Sequence, residues 1–112
     1  MPIKNPNYAN INQEEMAASI GLKAKHIPLL VGSFLDESKG ILERLQSAIK
    51  AKEFAAIKTS AHSIKGSAGN LRFKEVYEMA KEMESAGEKS DASFEYQAYF
   101  DAIKKAIRTI KL

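Results

Sequence analysis

The sequence predicts an all-α protein, an antiparallel up-down four-helix bundle with a short extra N-terminal helix. Three observations carry that prediction: apolar residues recur every three or four positions from about Lys23 onward, no stretch alternates with period two, and the periodic segments are joined by short connections. The 112 residues, 45% hydrophobic and 28% charged, suit one folded domain with a single core rather than a disordered chain. No internal repeat or low-complexity tract divides it.

Residues 1–10 carry two prolines and three asparagines, which disfavour regular structure; they read as a loose N-terminal leader, or one that packs only through Ile3 and Tyr8. The domain proper is expected over residues 11–112. Asn12 followed by Glu15 resembles a capping box and opens a short helix through Met16 and Ile20 to a stop at Gly21. Ile27, Leu30, Val31, Phe34, Leu35, Ile41, Leu42, Leu45 and Ile49 then form the apolar stripe of one long helix. Pro28 fits only in a first turn, so that helix starts near Lys25 or His26. Its phase would require apolar residues near position 52 or 53, where Lys52 and Glu53 stand, so a break is expected around 50–53 although no Gly or Pro marks it.

The next helix has its seam at Phe54, Ile57, Ala61, Ile64, Ala68 and Leu71. A corner at 70–73 leads to a fourth helix on Phe73, Val76, Tyr77, Ala80 and Met83, ending near Ala86-Gly87. Asp91 is the expected N-cap of the last helix, which turns Phe94, Tyr99, Phe100, Ile103, Ala106, Ile107 and Ile110 inward. Lys104, Lys105, Arg108 and Lys111 favour its dipole, which is a sufficient reason for them without an acidic partner.

Several function classes are excluded by composition. The net charge of +3, from 17 basic and 14 acidic residues, is interspersed and lacks the basic block of a nucleic-acid binder. Cysteine is absent, which removes disulfides and thiolate chemistry and suits the cytosol. No apolar run approaches the roughly 18 residues of a membrane span, and the first ten residues lack a signal-peptide core. A cytoplasmic protein without nucleic-acid or membrane partners is the expectation.

The stretch that asks for a function is Ala61-His62-Ser63-Ile64-Lys65-Gly66-Ser67-Ala68-Gly69-Asn70-Leu71. At 100° per residue, His62 lies about 130° from the centre of the buried stripe, Gly69 about 110° and Gly66 about 170°, with Lys65 on the flank at about 70°. Two glycines inside a helix each cost about 0.5 to 1 kcal/mol relative to Ala, and beside an outward histidine they suggest that a large molecule comes close. Lys58, four residues before His62, adds a second cation on the same side.

That string resembles the signature of histidine phosphotransfer (HPt) domains of two-component phosphorelays, commonly A-H-x-L-K-G-x-A followed by small residues and N-L-G. The order of helices over roughly residues 20–90 is similar too. One departure is Arg72, where members often have Gly, so the turn after Leu71 is not fixed by the resemblance. The resemblance implies that His62 is the phosphorylated residue, that Lys65 helps stabilise its phosphoryl group, and that Gly66 keeps the approach open. It also implies receiver domains of response regulators and a hybrid sensor histidine kinase as partners.

The chemistry agrees with this reading. A solvent-facing imidazole is largely neutral near neutral pH and keeps a lone pair that can attack phosphorus. Phosphoryl transfer has a loose transition state, helped by positioning, a metal and nearby cations, and Lys65 and Lys58 supply cations. The chain has neither a nucleotide-binding glycine loop nor a metal-ligating cluster, so ATP and Mg²⁺ are expected to belong to partners, with Mg²⁺ bound by the receiver. The expectation is a relay intermediate without kinase activity, taking the phosphoryl group from one receiver aspartate and passing it to another. Met1 and the chain length favour a free-standing protein, and a monomer suffices because one histidine needs no symmetry mate.

Two rivals belong to other classes. One is an adaptor bundle that binds signalling partners without phosphotransfer; the other is a small helical enzyme using His62 as acid or base, for which no companion acid or oxyanion donor is visible. Among the remaining residues, His26 reads as a surface or capping residue, Glu84 and Glu88 as parts of a solvated charged face, and Tyr96 and Tyr99 as core. Met16 and Ile20 fit core packing better than a docking patch.

Overall fold

A computed structural model describes residues 3–111, so Met1 and Pro2 of the expected leader, and Leu112, lie outside the described residues. Helices α1 (Gln13–Ser19), α2 (Ile27–Ala51), α3 (Phe54–Asn70), α4 (Lys74–Glu88) and α5 (Tyr96–Arg108) follow one another, and no strand occurs among the described residues. A single 3-10 turn at Ala24–His26 runs directly into α2 and leaves Pro28 in the first helical turn, where its missing N–H is harmless. α2 packs on α3 and α5, and α4 on the same two, closing a ring of four. The short connections leave sequential helices antiparallel.

The predicted stripes supply the core. Ile27, Val31, Leu45, Ile57, Ile64, Phe73, Val76, Met79, Met83 and Ile103 are all buried, as are Tyr96 and Tyr99. Burial of apolar surface, at about 25 cal/mol per Å², is what holds helices of these lengths, since few would be stable alone. Phe73, in the corner after α3, stacks against Phe34 at 5.4 Å and Tyr8 at 4.7 Å between ring centroids.

One chain-reversal device recurs at four helix ends. After α1, α2, α3 and α4 the backbone enters the left-handed region at Gly21, Lys52, Arg72 and Ser90, with φ of 73, 56, 63 and 51°. In each case the following N–H donates to a carbonyl five residues back: Leu22 to Ala17, Glu53 to Ala48, Phe73 to Ala68 and Asp91 to Ala86. This satisfies orphan carbonyls at the helix end. The break at 50–53 therefore exists without Gly or Pro, because Lys52 itself takes the left-handed conformation.

Three expectations are corrected by the fold. The described part of the leader, residues 3–10, is irregular in backbone but not loose: Lys4 Nζ pairs with Glu78 at 2.7 Å, the Tyr8 hydroxyl donates to Glu75 at 2.9 Å, and the Tyr8 N–H donates to Thr109 Oγ1 at 2.8 Å. These polar ties add to Ile3 and Tyr8, which do pack on the core. Gly87 is not the stop of α4 but lies within it, where an added Cβ would stand 3.1 Å from both the Lys58 nitrogen and the Phe54 oxygen; the missing side chain lets α3 and α4 touch. Asp91 does not cap α5, which starts at Tyr96; its carboxylate accepts from the Ser93 N–H and hydroxyl in the preceding loop.

Candidate functional site

α3 places the sequence's central stretch as its periodicity requires. Ala61, Ile64, Ala68 and Leu71 are buried, and His62 projects outward with 65% of its side chain exposed. Gly66 lies one turn further on with open space where a Cβ would stand. The imidazole nevertheless has a partner. His62 Nδ1 lies 2.8 Å from Glu84 Oε2 on α4, and Lys65 Nζ lies 2.7 Å from Glu84 Oε1. One carboxylate thus bridges the histidine and the lysine, one oxygen to each.

Glu84 is only 16% exposed. Partial burial pushes its carboxyl up, but the hydrogen bonds from Lys65 and His62 together outweigh burial and hold it below the usual carboxylate range. The same hydrogen bond raises the Lys65 ammonium above its ordinary value. An ionised carboxylate only accepts hydrogen bonds, so Nδ1 must be the donor. In the neutral ring the lone pair then sits on Nε2, the nitrogen not engaged with Glu84.

Glu84 is the partner of His62 and Lys65 that sequence reasoning misses, because on its own helix it reads as part of a solvated face. Its signal lies in the corner. In an antiparallel hairpin centred on Phe73, His62 faces Glu84, Gly69 faces Tyr77 and Lys58 faces Glu88, and all three pairs are observed. Placing the turn fixes the register, and the register names the partner.

The other expected site residues divide. Neither cation is unpaired: Lys65 is held by Glu84, and Lys58 stands 3.7 Å from the exposed Glu88. Gly69 does not open a path for a visitor, because an added Cβ would lie 3.1 Å from the Tyr77 ring, which fills that space. Its glycine character is explained within the α3–α4 contact. His26 is exposed and makes no side-chain cap, while Met16 and Ile20 are half-buried against the core. Among the described residues no cluster of three or more carboxylates and histidines fits a metal ion, and no helix is long and apolar enough to cross a membrane.

The structure is thus a helical bundle with a solvent-facing histidine on α3 held from α4 through Glu84. The family model for the Hpt domain matches residues 29–111, and the chain belongs to that family. Comparison with curated proteins and with solved structures returned no match. Membership implies histidine phosphotransfer in phosphorelays, and interaction with receiver domains and kinases of two-component systems.

Proposed function

We propose that His62 is the phosphoryl carrier, accepting from the aspartyl phosphate of one receiver domain and donating to the aspartate of another. The observation that carries this reading is the His62–Glu84 contact, which leaves Nε2 as the outward nucleophile. In the forward step the Nε2 lone pair attacks phosphorus while the P–O bond to the receiver aspartate breaks and its electron pair returns to the carboxylate. The ring gains positive charge as the N–P bond forms, Nδ1 keeps its proton, and Glu84 is the counter-charge at 2.8 Å. No proton needs to leave. Lys65 holds the second carboxylate oxygen, so it orients Glu84 in the resting state and adds a cation beside the incoming phosphoryl group.

Gly66 gives the receiver an open flank beside the imidazole. Mg²⁺ comes with the receiver, and a hybrid sensor kinase in the cytoplasm supplies the phosphoryl group from ATP; the chain is a carrier rather than a kinase. Lys58, in its longer contact to Glu88, is a second cation available to the transferred group. The test is incubation with each receiver domain of the source organism charged by acetyl phosphate. Wild type should gain acid-labile, base-stable phosphate and His62→Gln none. A folded wild type that no receiver labels would leave the adaptor reading.

A further inference from the structure

In the ring of four helices, α2 and α5 close the side opposite the α3–α4 seam that carries His62 and Glu84. They run antiparallel and are tied at one end by the amides of Gln46 and Gln97, which donate to each other at 2.9 and 3.1 Å. Beyond that tie they leave a groove of about 850 Å³. Its floor is apolar, built from Leu35 and Leu42 of α2 and Phe100 and Ile107 of α5. That size and lining suit a small organic ligand, whose sites span roughly 300 to 1,000 Å³ and carry a few convergent polar groups.

Here the convergent groups are cations. Lys39 and Lys104, each about two turns from the glutamine pair, stand at one level on opposite sides of the groove, and Arg108 follows about one turn beyond Lys104 on α5. The ion pairs among the described residues fall elsewhere, on Lys4, Lys58, His62 and Lys65. Lys104 lies over the Phe100 ring at 5.9 Å, so its charge is held against the apolar floor. The helix dipole accounts for Lys104 and Arg108 toward the end of α5, but not for Lys39, which faces them from the middle of α2. Asp36 and Glu43 also border the groove, both from α2, which leaves the α5 side positive.

We propose that this groove binds an amphiphilic carboxylate, with the aliphatic chain on Leu35, Leu42, Phe100 and Ile107 and the carboxylate held by Lys39, Lys104 and Arg108. The guanidinium fork of Arg108 matches both oxygens of a carboxylate, and the two lysines add point charges from either side. Burial of the chain supplies affinity, and the cations select a charged head over a neutral one. The site is independent of the relay reading. It lies across the bundle from His62, so a bound ligand leaves that histidine free to meet another molecule.

The experiment titrates decanoate, kept below its micelle-forming concentration, into nitrogen-15-labelled protein and follows the amide spectrum, with decanol and acetate as controls for chain and head. Saturable shifts are expected over residues 32–47 and 100–110, with a dissociation constant on the order of 0.1 mM. Decanol should bind at least about tenfold more weakly, and acetate should shift nothing at the same concentrations. Decanoate should also bind about tenfold more weakly to Lys39→Gln/Lys104→Gln and to Arg108→Gln, whose amide spectra away from the groove should match wild type and so show the fold kept. No saturable shift with decanoate, equal binding of decanoate and decanol, or shifts centred on exposed Leu22 instead of the groove would each overturn the proposal. So would wild-type affinity in both cation variants.

Discussion

His62 Nδ1 and Glu84 Oε2 meet at 2.8 Å across the α3–α4 hairpin, so the exposed imidazole is anchored at one nitrogen. If this contact selects the outward nucleophile, Glu84→Ala should return the ring to the mixed tautomers of a free imidazole. Long-range proton–nitrogen correlation spectra near pH 7.5 should show Nδ1 protonated in wild type and a mixture in the variant. Transfer from a charged receiver should slow about tenfold, the order expected when a positioned charge-assisted hydrogen bond is lost. Circular dichroism should stay the same, because the pair lies outside the core.

The lysine's contribution runs partly through the same carboxylate. Lys65→Met frees one Glu84 oxygen, so the tautomer should shift in the same direction as in Glu84→Ala but less far. Transfer should slow several-fold with the fold retained. If unfolding shows a collapse instead, Lys65 is a structural residue.

The bridge should also appear in acid. The folded Glu84 carboxyl lies below its ordinary value near 4.5, so its contribution to stability is present above that value and lost as pH falls through the lowered one. Lys65 is raised by the same contact, so its share persists up to the ordinary lysine range near 10.5 and is lost only above it. Urea midpoints measured from pH 6 to pH 3 should therefore fall more steeply for wild type than for Glu84→Gln.

Glycines in and beside α3 should respond to alanine in a fixed order. Gly87→Ala forces a methyl against two backbone atoms at 3.1 Å and should destabilise by about 1 to 3 kcal/mol. Gly69→Ala presses on the Tyr77 ring, which can shift, and should lose less. Gly66→Ala meets nothing and should gain up to about 1 kcal/mol from helix propensity. Thermal denaturation gives the ranking. A bulky residue at 66, such as Phe, should slow transfer with helix content intact, and unchanged transfer would mean that the open flank does not serve the receiver.

Left-handed residues give a further check. Lys52→Gly and Ser90→Gly relieve strain at φ 56° and 51°, partly offset by the greater freedom of glycine in the unfolded chain. Each should stabilise by about 0.5 to 1 kcal/mol, read as a higher denaturant midpoint.

These positions also show how much of the molecule is legible in its sequence. Helix existence and the outward face of His62 follow from the three- and four-residue spacing of residues such as Ile57, Ala61 and Ile64, because burial of one stripe fixes which face is wet. Helix ends are legible only where their chemistry is local, as at Asn12, whose side chain accepts from the Glu15 N–H. Lys52 and Ser90 stop helices by taking a backbone conformation that residue type does not advertise, and Gly87 resembles a stop while serving a contact between helices. Glu84 is hidden for a different reason: its role depends on the register of two helices, which no single-helix pattern contains.

Everything proposed for the site turns on His62 carrying the phosphoryl group at the nitrogen that Glu84 leaves free. A phosphorus–nitrogen correlation spectrum reads this without intermediary, recorded on protein labelled with nitrogen-15 in histidine after transfer from a charged receiver. One N–P coupling is expected, at Nε2 of His62, absent in His62→Gln. A coupling at Nδ1 or at His26, or phosphate bound only to carboxyl or hydroxyl oxygen, would show that the phosphoryl group travels elsewhere.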